Sequence, residues 1–340
     1  MMNWYLQNGK ESDVVISSRI RLSRNIKEFS FLTKASKEEL KQICEKIQII
    51  TPSLGYGLQF KFLKDVETIE KESLVEEHII NYEFAKSKNP NTAILINEDK
   101  SICILINEED HIKLEMYSSG LELENLMNLA IEIDQKLENI IPYSYHEKYG
   151  YLTACPTNVG TGLRASVLVH LPALTLTNNL RKVINVVNNL GMNIRGVYGE
   201  GSKVEGDIYE ISNNQTLGVT EKEITKNLNL ICQKVMEQER LARKYLTKNP
   251  IELEDKIYRD YGILSNAIKL EENETLELLS FIKLGVDLGI IREISDSKVS
   301  KLYVYTKPAN LQIRIGKELK LNEQEIERAN VVKEIIKSDE

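Results

Sequence analysis

The segment from Cys155 to Arg164, Cys-Pro-Thr-Asn-Val-Gly-Thr-Gly-Leu-Arg, combines groups that can take part in group transfer. A cysteine can react as a thiolate, and glycine lets a backbone approach a ligand closely. An arginine guanidinium binds phosphate or carboxylate through two parallel hydrogen bonds. The segment therefore predicts a site that holds an anionic ligand.

Three further motifs contain charged groups. These motifs are Ser17-Ser-Arg-Ile-Arg21, Asn107-Glu-Glu-Asp-His111 and Arg195-Gly-Val-Tyr-Gly-Glu-Gly-Ser202. Arg19 and Arg21 are two residues apart, so on a strand they face the same side. Alone, this pair would equally fit solvated charges on an exposed edge. Arg164 and Arg195 lie in glycine-containing segments, which favours the convergence of all these guanidiniums on a triphosphate.

The known glycine-rich nucleotide motifs do not explain this site. Residues Gly160 to Ala165 formally fit the G-x-G-x-x-A fingerprint of dinucleotide-binding folds. The residues before them do not form a strand pattern, and Asn185 stands where the fingerprint needs an acid. The sequence has no P-loop motif either. An ATP site in this chain therefore rests on arginines.

The composition is that of an ordinary globular protein. The 340 residues are 42% hydrophobic and 28% charged, and the net charge of −7 argues against a nucleic-acid-binding surface. The 4 cysteines lie far apart without a CxxC pair, so we expect neither a zinc site nor a disulfide framework. No apolar run reaches the roughly 18 residues that span a bilayer, and no signal peptide is evident. We expect a soluble cytoplasmic protein.

Hydrophobic periodicity predicts strands and helices followed by a helical region. We expect strands at 14–16, 93–97, 101–107, 111–117, 193–198 and 207–212, and helices at 36–50, 121–139, 175–190 and 221–246. The pattern is helical from residue 251 onward, which places a domain boundary between 240 and 255. The prediction is a catalytic domain at 1–245 and a helical domain at 246–340.

Taken in order, the motifs resemble those of the phosphagen (guanidino) kinase family over roughly residues 10–245. Within that family, the resemblance is strongest to bacterial members that phosphorylate arginine side chains of proteins. It implies an α/β (α+β) fold with a mainly antiparallel sheet flanked by helices, and a helical C-terminal domain for dimerisation and regulation. It also implies ATP as the phosphoryl donor and Mg²⁺ as the ion that bridges the ATP phosphates.

The resemblance also implies residue roles. A guanidinium with a pKa above about 12 is protonated at pH 7, so it needs carboxylates that orient it and accept a proton. Glu109 is implied as that carboxylate and Glu108 as its support. Glu200 and Cys155 are implied as further contacts of the guanidinium. The implied nucleotide contacts are Ser17, Ser18, Arg19, Ile20, Arg21, His78, Lys113, Arg164, Ala165, Ser166, Val167, Leu168, Arg195, Gly196, Val197, Tyr198, Gly199 and Glu200.

Several of these assignments have simpler alternatives. His78 is almost as well explained as a surface histidine on a helix. The acidic stretch from Asn107 to His111 would be a charged turn if it stood alone. Cys155, expected to be a thiolate whose pKa nearby arginines lower, is also explained as a small buried side chain.

The sequence departs from the family at two places. Lys113 stands where the family has an arginine, and a lysine keeps the charge but loses the bidentate fork. Near the C-terminus, the phosphoarginine-sensing motif Arg-Asp-x-x-Arg-Ala is represented by Gln324-Glu-Ile-Glu-Arg328-Ala329. Arg328 is retained as the allosteric contact while the first arginine is lost. We therefore expect phosphoarginine to activate this protein weakly or not at all.

We expect a reaction that converts ATP and protein arginine to ADP and protein phosphoarginine. A protein substrate is favoured because the Ser17 motif comes without the long preceding helical domain of small-guanidine kinases, and a helical region follows the core instead. The alternatives are a small-guanidine kinase and a non-catalytic adaptor that delivers clients to a protease. The implied partners are proteins with exposed arginines, a zinc-binding activator of the McsA type, Clp ATPase and protease, a heat-shock repressor and a second copy of the chain.

Overall fold

One antiparallel sheet organises most of the chain. The computed structural model describes residues 3–197 and 204–338. Its strands are β1 Val15–Arg24, β2 Gln59–Phe62, β3 Ala93–Ile96, β4 Ile102–Ile106, β5 Ile112–Ser119, β6 Tyr145–His146, β7 Gly150–Tyr151, β8 Leu163–His170, β9 Met192–Gly196 and β10 Ile208–Asn213. Within the described residues, the main sheet has 8 strands in the order β2-β3-β4-β5-β1-β8-β10-β9, and every neighbouring pair is antiparallel.

The helices lie on both faces of this sheet and form the C-terminal part. They are α1 Lys37–Leu54, α2 Thr68–Glu76, α3 Tyr82–Ala85, α4 Leu123–Glu138, α5 Pro172–Leu176, α6 Leu180–Asn189, α7 Glu221–Leu246, α8 Pro250–Asn266, α9 Glu272–Asp287, α10 Asp296–Tyr305, α11 Pro308–Ile315 and α12 Leu321–Lys337. The predicted fold class, a mainly antiparallel sheet with flanking helices and a helical C-terminal part, is confirmed.

Strand β1 lies in the middle of the sheet, and its sequence alternates between two environments. Ile20 and Leu22 are buried in the main apolar core, together with residues of α1, α4 and α7. Arg19 and Arg21 lie on the opposite face because successive side chains of a strand alternate. The same strand therefore closes the core on the back face and presents charge on the front face.

A second apolar cluster covers part of the front face. Ile94 of β3 and Tyr117 of β5 belong to this cluster. It is completed by Leu74 of α2 and by Trp4, which lies in the single-turn 3-10 helix Trp4–Leu6. The cluster covers the side of the sheet formed by β3, β4 and β5. The front face of β1, β8, β10 and β9 is left to charged side chains.

Helix α7 is a long helix that connects the sheet region to the C-terminal helices. It begins at a capping box, in which the Thr220 hydroxyl accepts a hydrogen bond from the Glu223 N–H and the Glu223 carboxylate accepts one from the Thr220 N–H. Further along α7, the buried Glu239 carboxylate accepts hydrogen bonds from the N–H groups of Ala173 and Leu174 in α5. None of the described helices is long and apolar enough to cross a membrane.

The C-terminal helices enclose an apolar core of their own, which includes Ile257, Leu279 and Val332. Several polar contacts join this part to the sheet region. The Glu76 carboxylate of α2 accepts hydrogen bonds from the N–H groups at the start of α11, for example from Ala309 at 2.6 Å. Ser280 of α9 donates to Asp207 at 3.0 Å. The division into domains at residue 245 stays a prediction about independent folding.

The predicted helix at 175–190 is wrong as one element, because the structure contains the two helices α5 and α6 in this region. Pro172 starts the first helix, where its fixed φ is favourable. Asn178 then adopts a left-handed backbone with φ of 55°, which asparagine tolerates better than most residues and which ends the helical path. The strand predicted at 14–16 is only the start of β1, which extends to Arg24, and the remaining predicted strands and helices agree with the structure to within a few residues.

We predict that two arginines on α7 contribute very differently to stability. Buried Arg243 donates to Glu239 at 2.8 Å and to Asp287 at 3.3 Å, whereas exposed Arg240 pairs with Glu11 and Asp13 at the surface. Replacing Arg243 by Met should lower the free energy of unfolding by about 3–5 kcal/mol, because buried carboxylates lose their partner. The matched change Arg240→Met should cost about 1 kcal/mol or less. Denaturant unfolding measures both, and equal losses would contradict the prediction.

Candidate active site

A row of charged and polar side chains crosses the front face of four adjacent strands. The strand register aligns Arg21 of β1 with Arg164 of β8, and Arg19 with Ser166. Glu210 of β10 lies opposite both Leu168 of β8 and Arg195 of β9. The prediction that Arg19 and Arg21 share a face is confirmed. The residues that share this face are Ser17, Arg19, Arg21, Arg164, Ser166, Leu168, Arg195 and Glu210.

Glu210 holds two of these arginines together. Its carboxylate accepts a hydrogen bond from Arg19 Nη2 at 2.8 Å through one oxygen and from Arg195 Nη2 at 3.1 Å through the other. Burial favours the neutral acid, but the attraction of Arg19, Arg195 and Arg21 holds the pKa of Glu210 below its ordinary value. Arg19 also donates from Nε to the Ser166 hydroxyl at 3.2 Å. Glu210 is therefore ionised and fixes the spacing of two guanidiniums.

Arg21 and Arg164 have no carboxylate partner among the described residues. Burial, followed by repulsion from Arg21 and Arg195, lowers the pKa of Arg164. A guanidinium stays protonated in spite of such a shift. Of these four guanidiniums, those of Arg19 and Arg195 are paired with Glu210, and those of Arg21 and Arg164 bring an excess of positive charge to this face. A polyanionic ligand would relieve that excess, and planar guanidinium forks suit phosphate oxygens.

Sequence reasoning missed Glu210, although a signal was present. Glu210 lies in the strand Ile-Tyr-Glu-Ile-Ser, where a lone acid among apolar residues is unusual for a buried strand. No motif marks Glu210, and only the strand register brings it between Arg19 and Arg195.

Alternate residues of the same motifs lie on the back face, away from the arginines. Ile20, Ala165 and Val167 are buried in the main core, and the Ser18 hydroxyl donates to the Gly120 carbonyl at 2.7 Å. Their side chains therefore hold the strands in place and do not reach the charged face. This corrects the expectation that whole motifs contact the nucleotide.

The segment after β9 is only partly described. Gly196 packs against Val204, where an added Cβ would come within 2.8 Å of a methyl carbon. Val197 lines the cleft beside the arginines. The predicted site residues Tyr198, Gly199 and Glu200 lie outside the described residues.

His78 lies beside the arginine row. It follows α2 in a left-handed backbone conformation with φ of 60°, and it lines the same cleft as Arg19 and Arg195. Burial, together with repulsion from Lys307 and Arg19, lowers the pKa of His78 to about 4. The imidazole is therefore neutral at pH 7. Its position at the cleft favours the interpretation of His78 as a ligand contact over the interpretation as a surface histidine on a helix.

The acidic loop between β4 and β5 presents its two glutamates differently. Glu109 is exposed to solvent. The Glu108 carboxylate is held by the Lys113 ammonium at 2.7 Å, by the Asn81 amide at 2.6 Å and by the Glu109 N–H at 2.7 Å. Burial opposes its ionisation, but Lys113 and these donors keep the pKa of Glu108 below its ordinary value. The loop thus offers one free carboxylate, supported by one fixed carboxylate.

Lys113 has a role other than the one its position in the motif indicates. We expected its ammonium to contact nucleotide phosphate, as the family arginine would. In the structure, the Lys113 side chain is nearly buried and pairs with Glu108. Asn107, at the start of the same loop, adopts a left-handed backbone with φ of 57°. Lys113 therefore positions the acidic loop.

Asp110 connects the acidic loop to the Cys155 segment, and sequence reasoning missed this link. Asp110 Oδ1 accepts hydrogen bonds from the Asn25 amide at 2.6 Å and from the Ala154 N–H at 2.7 Å. Burial raises the pKa of Asp110. Cys155 follows directly and is half-buried, with its sulfur 3.0 Å from the Thr157 hydroxyl. The thiol is thus accessible and lies in a segment anchored to the acidic loop.

The two glycines of this segment serve packing within the protein. Gly160 has φ of 116°, and an added Cβ would lie 2.2 Å from the Thr216 carbonyl oxygen. Gly162 has φ of 65°, and an added Cβ would lie 2.5 Å from Arg24 Nη1. The expectation that these glycines let the backbone approach a ligand is corrected, because the close neighbours are the chain's own atoms.

Arg328, predicted to sense phosphoarginine, is buried in the C-terminal helices. Its Nε donates to the Thr306 carbonyl at 2.7 Å and its Nη1 donates to the Leu270 carbonyl at 2.8 Å. Burial lowers the pKa of Arg328. In this conformation the guanidinium joins two helix ends, and a phosphoarginine contact would require these bonds to exchange.

The comparisons with known proteins agree with this geometry. Residues 33–242 match the model of the ATP:guanido phosphotransferase C-terminal catalytic domain, and residues 250–340 match the model of the protein-arginine kinase McsB C-terminal domain. A protein-arginine kinase of Halothermothrix orenii is 43% identical over 98% of this chain and 96% of its own length. One of Geobacillus kaustophilus is 44% identical over 99% and 94%.

The similarity to solved structures is lower in sequence but clear in fold. The crystal structure of lombricine kinase aligns with a TM-score of 0.60 and 26% identity, covering 68% of this chain and 67% of that chain. The sheet and the arginine row therefore occur in a fold already known from phosphotransferases. The predicted family resemblance is confirmed.

We predict that Arg164 serves ligand binding and that Arg19 also serves stability. Arg164→Gln should leave the melting temperature unchanged or raise it, because repulsion with Arg21 is relieved. The same change should weaken ATP binding at least tenfold, since a charge-assisted phosphate contact is lost. Arg19→Gln should weaken binding and also lower the free energy of unfolding by about 1–3 kcal/mol, because buried Glu210 loses a partner. Calorimetry and thermal unfolding check both, and normal ATP binding by Arg164→Gln would contradict the prediction.

We predict that Asn81 positions Glu108. Its side-chain oxygen caps α3 by accepting from the Phe84 N–H at 2.7 Å, while its amide nitrogen donates to Glu108. Asn81→Asp keeps a good cap, but it removes the donor and adds a negative charge, which raises the pKa of Glu108. Glu108 acts in its ionised form, so a raised pKa means that acidification protonates it sooner. The acid limb of the pH profile should therefore move upward by about 1 pH unit.

The matched variant Asn81→Ser also keeps the cap and removes the donor without adding charge. It should shift the acid limb less than Asn81→Asp. Profiles of kcat/KM against pH measure the shift, and thermal unfolding checks that the cap is retained. Identical profiles for wild type and Asn81→Asp would show that Asn81 only caps the helix.

Proposed function

The chain belongs to the ATP:guanido phosphotransferase family, and on that premise we propose that it transfers the γ-phosphoryl group of ATP to arginine side chains of proteins. The observation that carries the proposal is the row of four guanidiniums on one face of the sheet, two of them held by Glu210, in a chain that also exposes the Glu109 carboxylate. Positive charge of this kind suits a triphosphate, and a free carboxylate suits a guanidinium.

In the proposed complex, the unpaired Arg21 and Arg164 take the phosphate oxygens first. Arg19 and Arg195, already spaced by Glu210, complete the cradle without a large rearrangement. Because transfer proceeds through a loose, highly charged transition state, fixed guanidiniums contribute mainly by position and charge. His78, neutral at pH 7, contacts the nucleotide without adding charge.

The acceptor guanidinium is gripped by Glu109, and Glu108 keeps the acidic loop in place. In the transfer step, a bond forms between a guanidino nitrogen and the γ-phosphorus. The bond from that phosphorus to the bridging oxygen breaks, and its electron pair leaves with ADP. The proton of the attacking nitrogen passes to the Glu109 carboxylate. Cys155 and Glu200 belong to the same proposed guanidinium pocket.

Magnesium belongs to this proposal as a companion of ATP. When bound, Mg²⁺ neutralises charge on the phosphate oxygens, and it characteristically keeps several waters and few protein ligands. Among residues 3–197 and 204–338, no group of three or more His, Cys, Asp or Glu side chains is placed to hold a metal ion. The donor set that fits the ion here is the phosphate oxygens held by the arginine cradle.

A protein acceptor is supported by the relatives, which are named protein-arginine kinases and match nearly the whole chain. The exposure of Glu109 supports it as well, because an arginine on a large substrate must reach the carboxylate from outside. A second candidate is a kinase of small guanidines, favoured by the similarity in fold to lombricine kinase.

The cellular setting of the proposal rests on family membership alone. We place the enzyme in the cytoplasm as a homodimer that takes part in a stress response. The proposed partners are a zinc-binding activator of the McsA type, Clp ATPase and protease, and a heat-shock repressor. Allosteric control through Arg328 belongs to the same proposal, weakened by Gln324. Co-purification from the native host tests these partners directly.

The test of function is incubation of the protein with ATP and an arginine-rich basic protein, or with ATP and free arginine. Mass spectrometry at neutral pH should find acid-labile phosphate on arginine side chains of the basic protein and none on free arginine. Preferential phosphorylation of free arginine would establish the small-guanidine kinase instead. No transfer to either acceptor would favour the non-catalytic adaptor.

We predict that Glu109→Gln abolishes phosphoryl transfer while the fold and ATP affinity are kept. The amide has the same shape but cannot accept the guanidinium proton, and loss of such a group costs about 10²–10⁴ in rate. Glu124→Gln, at an exposed position on α4, is the matched control and should be fully active. Single-turnover transfer rates measure the effect, and more than half of wild-type activity in Glu109→Gln would remove it from this role.

A further inference from the structure

Two consecutive residues at the end of β1 connect the segments that build the proposed guanidinium pocket. Arg24 is the last residue of β1 and Asn25 follows it, and both are buried. They form hydrogen bonds with the acidic loop between β4 and β5 and with the chain segment 144–161, which contains Cys155. The Ser17 motif ends before both residues, so no motif marks them.

The Asn25 side chain binds the acidic loop through both of its polar atoms. Its Oδ1 accepts a hydrogen bond from the His111 N–H at 3.0 Å, and its Nδ2 donates to Asp110 Oδ1 at 2.6 Å. This pair of bonds fixes the orientation of the amide, because the opposite orientation would place an oxygen against a carboxylate. Asn25 therefore holds the loop at the residues that directly follow Glu109.

Asn25 also holds the chain that leads to Cys155. Its backbone carbonyl accepts a hydrogen bond from the Ser144 N–H at 2.7 Å. Its Nδ2 donates a second hydrogen bond, to the Leu152 carbonyl at 3.1 Å. One buried residue thus makes four hydrogen bonds to two separate segments of the pocket.

Asp110 completes the connection between these segments. Its Oδ1, already bonded to Asn25, accepts a further hydrogen bond from the Ala154 N–H at 2.7 Å. Asp110 directly follows Glu109 in the chain, and Ala154 directly precedes Cys155. A single carboxylate oxygen therefore joins the neighbours of both groups, and the Asn25 amide sets its position.

Arg24 anchors another part of the same segment to the core. Its Nη1 donates to the Thr161 carbonyl at 2.9 Å, and its guanidinium carbon lies 3.6 Å from the centroid of the Tyr151 ring. Its charge is paired with Asp134 of α4, which lies 2.7 Å from Nη2. Arg24 thus connects the segment to the body of the protein, and Asn25 connects it to the acidic loop.

We propose that Asn25 is a positioning residue for phosphoryl transfer, which sets the separation between Glu109 and Cys155 around the acceptor guanidinium. The inference rests on the proposed function in placing that guanidinium between them. Reacting groups must stay within about 0.5 Å of their productive arrangement. A change at Asn25 therefore acts on the transfer step, through Asp110, and leaves ATP binding to the arginines of β1, β8 and β9 intact.

The variant Asn25→Asp changes one atom and reverses one interaction. The oxygen that replaces Nδ2 lies against Asp110 Oδ1, where two carboxylates repel each other unless they share a proton. Two charged groups act on Asp110, namely Glu109, which disfavours its ionisation, and Lys113, which favours it. The His111 imidazole beside it is buried, and burial lowers its pKa, which favours the neutral form.

The activity of Asn25→Asp should therefore depend on pH in a way that a loss of stability does not explain. At high pH its kcat should fall by about 10²-fold, because the acidic loop and the Cys155 segment are pushed apart. As the pH falls and the two carboxylates share a proton, the ratio of variant to wild-type kcat should rise. Affinity for ATP, measured by calorimetry, should match that of the wild type at each pH.

The Cys155 thiol reports the same geometry without turnover. Cys155 is half-buried, whereas Cys44, Cys103 and Cys232 are buried, so iodoacetamide should label Cys155 first. Asn25→Ala removes both side-chain bonds without adding a charge that would alter the pKa of the thiol. It should raise the alkylation rate of Cys155 by about three- to tenfold, because the segment is released from the acidic loop.

Asn310 provides the matched control for both changes. It is buried in α11, where its Nδ2 donates to the Glu76 carboxylate at 2.8 Å and its Oδ1 accepts from the Ser73 hydroxyl at 2.9 Å. Asn310→Asp and Asn310→Ala therefore disturb a second contact between a buried amide and a carboxylate. They should lower the melting temperature but leave the alkylation rate of Cys155 at the wild-type value.

A wild-type kcat in Asn25→Asp at every pH, or a wild-type alkylation rate in Asn25→Ala, would overturn the proposal. An equal loss of kcat at every pH would also contradict it, because it would assign Asn25 to the fold alone. If Asn25→Asp does not fold, the kcat and alkylation rate of Asn25→Ala decide. Absence of transfer by the wild type would instead remove the proposed function, and the alkylation rates would still show whether Asn25 holds the Cys155 segment.

Discussion

The repulsion among the arginines on the front of the sheet is the constraint on which the rest of the site depends. Four guanidiniums belong to residues of β1, β8 and β9, and the register of these strands brings them near one another. Their spacing is therefore set before any ligand binds. One buried carboxylate, Glu210, offsets part of this repulsion. A triphosphate can offset the remainder. The cradle is thus preorganised, and preorganised charge is the form in which proteins stabilise phosphoryl transfer most effectively.

The sheet can carry this charge because its two faces have separate tasks. Ile20, Leu22 and Val167 close the core behind the strands that carry the arginines, so strain at the front is resisted by apolar packing at the back. The same arrangement explains why consecutive residues of one motif differ in role. A side chain that faces the helices contributes to catalysis only by holding its neighbour in place.

The sequence was sufficient for features that depend on local pattern. The common face of Arg19 and Arg21 follows from a spacing of two on a strand, and the position of the acidic stretch between two strands follows from the apolar runs on either side of it. It was insufficient where a partner comes from elsewhere in the chain. Glu210 meets the arginines only because of the strand register. Gly160 is needed because the carbonyl of Thr216, distant in sequence, leaves no room for a side chain. Lys113 pairs with Glu108, a contact that the motif did not indicate.

The C-terminal helices also act on the site from a distant part of the chain. Because α9 and α10 line the cleft that starts at the arginines, a nucleotide that fills the cleft contacts both parts of the chain. A ligand that binds better when the two parts are packed together also stabilises that packing. By linkage, the gain in ligand affinity and the gain in packing stability are the same free energy. The Glu76 carboxylate, which accepts hydrogen bonds from the N–H groups of Ala309 and Asn310 at the start of α11, lies two residues before His78 in the chain. A nucleotide bound in this cleft would therefore be coupled to the packing of the C-terminal helices.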